Sequence, residues 1–469
     1  MEGVQEKPEA HEEMEELIEP ATPTGQFFNS ASLSVCILAA LESEIPIDDS
    51  QTMTLLKDVF IPINSRFSSI MVKDDENGGK HWKKVTVILD DHVQVPIFPE
   101  GLPLESYDEY LQEYSTKIAM EQLPQTRPLW EIHIFKYPTT NAAGTLLFKL
   151  HHALGDGYSL MGALFSCLQR SDNPSLPLTF PKIGSNSTEK SKSVAGYMSV
   201  LMNTVTDFTW SLMKSSFLED HVSPIRSATV GVELKPITIS TVTLSLDQIK
   251  QIKTKLGGTI NDVIVGVIFY GTRLYMEAIS KGSSSAQSTA LVLLNTREIT
   301  SYQTVEEMAK PNTSASWGNN FGFLHVSVPE KLDIENADPL DFVFEAKKLI
   351  TKKRNSLAVY LNGSLLNLMR KLRGPEVASR YIHKTLWNTS MTISNLIGPV
   401  EKMSLANHPV KGLYFCVLNA PQSLMLSLVS YMGKVRVTVG GEKELINHKL
   451  YNSCLNKAFE RIFEAAFNS

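Results

Sequence analysis

The chain has 469 residues, 43% of them hydrophobic and 20% charged, with a formal net charge of −6. This composition supports a large buried core and excludes a disordered chain, and the acidic balance lacks the basic excess that a nucleic-acid surface wants. The four cysteines, Cys36, Cys167, Cys416 and Cys454, are scattered without metal-ligand spacing and read as free thiols of a cytosol-facing protein.

In chain order, residues 1–24 form an acidic tail with Glu12, Glu13, Glu15, Glu16 and Glu19, expected to be solvated and disordered. It has neither a basic start nor an apolar core, so it does not read as a signal peptide, and no run of about 18 apolar residues reads as a membrane span. Lys83 to Leu89 alternates as a half-buried strand, with Val85, Val87 and Leu89 on one face. Tyr107 to Met120 reads as a helix. Pro128-Leu129-Trp130 opens a strand to Tyr137, with Trp130, Ile132 and Ile134 on one face. Thr145 to Leu150 is almost wholly apolar, as in a strand buried on both faces. It runs into His151-His152-Ala153-Leu154-Gly155-Asp156-Gly157, and a helix follows over Ser159 to Leu168.

Ser171 to Lys192 is rich in Ser, Pro and Asn and reads as a linker, as does Glu219 to Pro236. Between them, Val194 to Phe217 carries Val194, Met198, Leu201, Val205, Phe208 and Leu212 at helical spacing. Such a helix lies in a lipid headgroup region with Trp210 at the boundary, or packs its stripe on the protein core; the pattern leaves both fates open. Beyond Pro236, Val242, Leu244 and Leu246 alternate as a strand. Ser245 with Gln248 and Thr259 with Asp262 fit capping boxes, the second opening an apolar helix from Asn261 to Ala278. Strands are expected at 290–295, 391–394, 425–431 and 435–439, and helices at 337–354, 357–372 and 445–466. The domain division expected is 25–185, a linker at 186–236, and 237–469.

The strongest chemical signal is His151-His152-x-x-x-Asp156-Gly157, on a loop between a buried strand and a helix. A positioned imidazole removes a proton from an attacking hydroxyl and is worth about 10²–10⁴-fold in rate. Adjacent side chains of extended chain point to opposite sides, so one histidine alone faces a substrate. Asp156 orients the loop or caps the following helix, and Gly157 permits the turn.

This motif resembles the signature of the CoA-dependent acyltransferase superfamily. Pro128-Leu129-Trp130, Asn261-Asp262-Val263, Leu294-Asn295-Thr296-Arg297, Trp317-Gly318-Asn319 and Ser394-Asn395-Leu396-Ile397-Gly398-Pro399 resemble segments of its wax ester synthase/diacylglycerol acyltransferase branch, especially the plant members. The resemblance covers about Thr24 to the C-terminus. It implies an α/β fold of two chloramphenicol acetyltransferase-like domains with a substrate tunnel between them. It also implies transfer of a long-chain acyl group from acyl-CoA, as substrate and not cofactor, to a fatty alcohol or diacylglycerol. His152 is then the base, Asp156 structural, and His151, Gly157, Asn261 and Asp262 supporting. Asn261 is a candidate oxyanion donor and Asp262 a capping residue; Arg297 either anchors an interface or meets CoA phosphate. No metal or nucleic acid is implied. A place on the cytosolic face of the endoplasmic reticulum, or on the plasma membrane, follows from the lipid substrates. The Asp-Phe-Gly-Trp-Gly loop of acyltransferases acting on phenolics is missing. The alternatives are transfer to another hydroxyl or amine and a non-catalytic lipid carrier on the same scaffold.

Overall fold

The computed structural model describes residues 17–73, 79–181, 194–297, 304, 307–308 and 316–468. The expected acidic tail up to residue 16, and residues 182–193 of the first linker, lie outside them. The N-terminal half runs β1 (Leu17–Pro20), α1 (Pro23–Phe28), β2 (Cys36–Ser43), α2 (Thr52–Leu55), β3 (Ser69–Lys73), β4 (Lys80–Lys84), β5 (Val93–Gln94), α3 (Leu104–Met120), β6 (Trp130–Phe135), β7 (Gly144–His151), α4 (Gly157–Ser166) and β8 (Gln169–Arg170). Then come α5 (Val194–Ser216), β9 (Ile237–Ser245), α6 (Leu246–Lys255), α7 (Ile260–Ile279), β10 (Thr289–Asn295), β11 (Phe321–Ser327), α8 (Pro339–Arg354), α9 (Ala358–Arg373) and α10 (Pro375–Trp387). The chain closes with β12 (Met391–Ile397), β13 (Met403–Leu405), β14 (His408–Leu418), β15 (Leu424–Tyr431), β16 (Lys434–Glu442) and α11 (His448–Asn468).

Two large sheets organise these elements. The first has the order β5-β6-β7-β2-β14-β13-β8, the second β11-β10-β12-β15-β16-β9. Strands β13 and β14 come from the C-terminal half yet complete the first sheet: β14 pairs antiparallel with β2 over Val410–Leu418, and β13 pairs with β8. The two halves therefore interleave, and neither sheet is built from one continuous stretch of chain. Each sheet carries its own apolar core. A smaller cluster of Phe27, Phe28, Leu33, Val35, Leu291, Ala378, Ile382 and Leu386 joins the N-terminal segment to β10 and α10. The expected mixed α/β architecture, with two sheet units, is the one observed.

Local sequence explains most element positions. Helix α7 is buried nearly all round, as its apolar sequence requires, and opens on a complete Thr259–Asp262 capping box. At Gly266 a Cβ would lie 2.8 Å from the Cα of Val343, so only glycine lets α7 approach α8 this closely. Ser245 caps α6 through the backbone N–H of Gln248. One strand lies elsewhere than its pattern indicated. Val85, Val87 and Leu89 do alternate with exposed neighbours, but the strand itself is β4, Lys80–Lys84. Its anchor is Trp82, 1% exposed, and the ladder ends before Val87. The segment 219–236 has little regular structure, yet Asp220 and Arg226 pin it inside the protein. Asp220 binds Lys214, the backbone and hydroxyl of Thr289, and Ser390.

Candidate active site

His151 ends β7, the strand between β6 and β2. Its two ring nitrogens are both committed. Nδ1 accepts from the backbone N–H of Ala153 at 3.1 Å, and Nε2 faces the Ser34 hydroxyl at 3.1 Å. Burial pushes its pKa down to about 3, so the ring is neutral and structural.

His152 is different. Its Nδ1 lies 2.8 Å from Oδ1 of Asn319, whose Nδ2 donates to the carbonyl of His152 itself at 2.9 Å. The second bond fixes which end of the Asn319 amide faces the ring. Nδ1 must then carry the proton, and Nε2 keeps its lone pair. Phe28 and Phe321 hold the ring at centroid distances of 4.6 and 5.5 Å. Burial lowers the pKa of His152, opposed in part by the Asp156 charge and the Asn319 hydrogen bond. A neutral imidazole with a free Nε2 is what a general base needs.

Asp156 caps α4 by accepting from the backbone N–H of Ser159 at 3.0 Å. It is also the centre of a cross-link between the two halves. Arg297, just beyond β10, makes a two-pronged ion pair with it at 2.6 and 3.1 Å, and the backbone N–H of Asn320 adds a bond at 2.9 Å. Arg297 also donates to the carbonyl of Gly318 at 2.8 Å, and Trp317 Nε1 to the carbonyl of Leu154 at 2.8 Å. The segment 317–320 is thus clamped onto the loop 152–156, and that clamp presents Asn319 to His152. Arg297 is 8% exposed and bonded to Asp156 and Gly318, which makes it an interface anchor.

Gly157 does not have the positive φ that the turn reading anticipated. Its constraint is space, since a Cβ there would sit 3.1 Å from Leu396 of β12. Trp130 is fully buried, stacked on His92, and donates to the carbonyl of Phe67, a packing role.

A cavity of about 420 Å³ opens on His152, and Asp156, Arg297, Arg354, Asn261, Asn295, Ser394 and Asn395 add polar groups among the apolar side chains of its wall. That volume suits a lipid-sized substrate portion. Asn261, in the first turn of α7, faces Nδ2 of Asn395 at 3.4 Å. Asp262 turns away to complete the cap, accepting from the Thr259 N–H at 2.8 Å. Of the residues expected at the site, His152, Asp156, Gly157 and Asn261 line one cavity, whereas His151 and Asp262 serve as supports. Sequence reading offered interface anchoring as one of two roles for Arg297, and quoted Asn319 within a motif without giving it the role seen here. Among the described residues no cluster of His, Cys, Asp and Glu could hold a metal.

The profile "Wax ester synthase/diacylglycerol acyltransferase catalytic domain" matches residues 77–264, and "WS/DGAT C-terminal domain" matches residues 317–463. The chain belongs to the wax ester synthase/diacylglycerol acyltransferase family. It is an acyltransferase. Wax ester synthase/diacylglycerol acyltransferase 4 of Arabidopsis thaliana is 29% identical, covering 90% of this chain and 85% of its own. Number 11 of the same plant is 28% identical over 94% and 93%. Among solved structures, the wax ester synthase/diacylglycerol acyltransferase from Marinobacter aquaeolei VT8 superposes with a TM-score of 0.60 at 14% identity, covering 95% of this chain and 99% of that one. The first condensation domain of the calcium-dependent antibiotic synthetase superposes at 0.52 and 13%, covering 92% and 91%. Its fold is shared; at that identity the likeness extends no further.

Proposed function

We propose that this acyltransferase moves a long-chain fatty acyl group from acyl-CoA to the hydroxyl of a fatty alcohol, of diacylglycerol, or of both. His152 is the general base. The observation that carries the reading is the commitment of His152 Nδ1 to Asn319, which leaves Nε2 basic beside a lipid-sized cavity. The acceptor hydroxyl gives its proton to Nε2 as its oxygen attacks the thioester carbonyl. The tetrahedral intermediate then collapses, and the imidazolium returns the proton to the leaving CoA thiolate. Asn261, near the N-terminus of α7, is placed to steady the developing oxyanion. Asp156 acts through the loop. The thioester is already activated, so the mechanism calls for no resident cofactor and no metal.

Apolar substrates and an apolar product place the enzyme at a membrane, and we assign it to the cytosolic face of the endoplasmic reticulum. No helix among the described residues is long and apolar enough to cross a bilayer; in this reading the enzyme attaches at the membrane surface. The deciding experiment gives the purified enzyme long-chain acyl-CoA with mixed long-chain alcohols and diacylglycerol, followed by product analysis. Wax ester, triacylglycerol or both are expected; neither product would overturn the reading.

A further inference from the structure

Helix α5 is amphipathic in the inverted sense. Its buried face is polar: Thr204, Asp207, Ser211, Lys214 and Ser215 all lie within the protein. Each has a partner there. Thr204 Oγ1 accepts from the backbone N–H of Leu357, Asp207 pairs with Lys353 at 3.1 Å, and Ser211 accepts from Asn362 at 2.9 Å. Lys214 pairs with Asp220 at 2.5 Å, and Ser215 meets His325. The apolar face looks outward instead, with Met198, Leu201, Met202 and Val205 each more than half exposed.

The neighbouring helix α9 repeats the pattern. Leu357, Leu361, Leu368 and Leu372 recur at helical spacing along one stripe, exposed by 54%, 42%, 52% and 73%. Two adjacent helices with outward apolar stripes exceed the scattered surface leucines of an ordinary soluble domain. The exposed charge carried by the two helices themselves is positive. Within α5 and α9 the sole carboxylate is Asp207, which is buried and paired, whereas Lys371 and Arg373 are exposed at the end of α9. Apolar stripes bordered by cations match a bilayer bearing anionic lipid.

Beneath these two helices lies a second cavity, of about 140 Å³. Ser211 and Ser215 of α5 and Asn362, Gly363 and Leu366 of α9 form its outer wall. Phe28 and Phe321 line its inner end, and these are the rings packed against His152. Phe321 also lines the larger cavity, so the two spaces share a wall beside His152.

We propose that the exposed faces of α5 and α9 dock this enzyme on an anionic lipid bilayer, and that the chamber beneath them admits the lipid acceptor to His152 from the membrane side. This rests on the lipid-acceptor reading above and adds a surface and a path to it. The test is flotation of the full-length protein with phosphatidylcholine vesicles containing phosphatidylserine. Leu361→Asp/Leu368→Asp and, independently, Leu201→Asp/Val205→Asp change exposed side chains only. Each pair should reduce the bound fraction about tenfold or more while unfolding curves match the wild type. Gly363→Phe addresses the chamber: a Cβ at Gly363 meets nothing within 4 Å, so a ring there projects into open space. It should lower the ratio of kcat/KM for a long-chain acceptor to that for a short soluble alcohol by about tenfold. If both surface pairs float like the wild type, the docking face is wrong. If Gly363→Phe leaves the ratio unchanged, the path is wrong. Either failure with ester still formed leaves the acyl-transfer reading standing, whereas absence of any ester from the wild type would defeat that reading itself.

Discussion

Replacing Asp156 with alanine should unfold the enzyme more readily by about 4–6 kcal/mol. The carboxylate accepts four hydrogen bonds: Oδ1 from the Ser159 N–H and Arg297 Nη2, Oδ2 from Arg297 Nη1 and the Asn320 N–H. Both partners of the ion pair are buried, at 4% and 8% exposure. Removing one member of such a pair costs about 3–5 kcal/mol, because the other charge stays buried without compensation. Loss of the α4 cap adds about 1 kcal/mol. Asp156→Asn should recover little beyond that cap, since either placement of its NH₂ group points a donor at Arg297 and a backbone N–H. An isosteric amide therefore serves poorly here. Denaturant unfolding of wild type, Asp156→Ala and Asp156→Asn, with kcat/KM on the same preparations, measures both consequences. A double variant, Asp156→Leu/Arg297→Met, removes both charges and should be more stable than Asp156→Ala. If Asp156→Ala keeps wild-type stability within about 1 kcal/mol while turnover collapses, Asp156 belongs to the chemistry and the clamp argument fails.

Four further outcomes follow from the same geometry. His152→Ala should lose about 10²-fold or more in turnover with its melting curve intact, and His151→Ala should act mainly on stability; the reverse ranking would exchange their roles. Asn319→Ala should lower kcat/KM by about 10–100-fold through loss of tautomer control, and Asn319→Asp should move the acid limb of its pH profile upward, because a carboxylate favours imidazolium; an unmoved limb would dissociate Asn319 from the base. Burial holds His151 and His325 down to about 3, so below the unfolded value near 6.5 the unfolded chain takes up protons that the folded one refuses. Stability should thus fall on acidification by about 3 kcal/mol per pH unit from these two groups, and a denaturation midpoint flat between pH 7 and 5 would contradict this. Incubation with acyl-CoA and no acceptor should leave the intact mass unchanged; a stoichiometric acyl adduct would establish a covalent route.

The His motif was legible because its chemistry is local. Strand, doubled histidine, cap and glycine lie within a few residues, and each has a spacing rule. The partners that hold His152 and Asp156 are not local. Asn319 and Arg297 stand 167 and 141 residues from the groups they bind, and although both lie in segments that resemble family motifs, no spacing rule pairs them with the His motif. Strand β2 escaped notice because all eight of its residues are buried, which removes the alternation that advertises a strand. The crossing of β13 and β14 into the first sheet is a pairing decision made between distant segments. For α5 the periodicity was plain, but periodicity identifies an apolar face without saying which way it turns. The direction came from the buried partners of Thr204, Asp207 and Lys214, which no hydrophobic pattern encodes.

A covalent acyl-enzyme needs a nucleophile beside the base, and among the described residues the ring of His152 hydrogen-bonds to Asn319. Cys36, opposite His151 in the sheet, has its thiol pushed up to about 12 by burial, far from a reactive thiolate. Ser34 is engaged with His151, and Ser159 with the Gly318 carbonyl. What the site offers instead is a cavity that opens on His152 with room for an acyl chain, and a smaller space under a pair of outward apolar helices, the two sharing Phe321 as a wall. In the proposed mechanism both substrates approach Nε2 together, and the acceptor oxygen attacks the thioester directly. Holding two reactants against one base lowers the barrier by fixing their orientation, and an enzyme so built has no need to store the acyl group on itself.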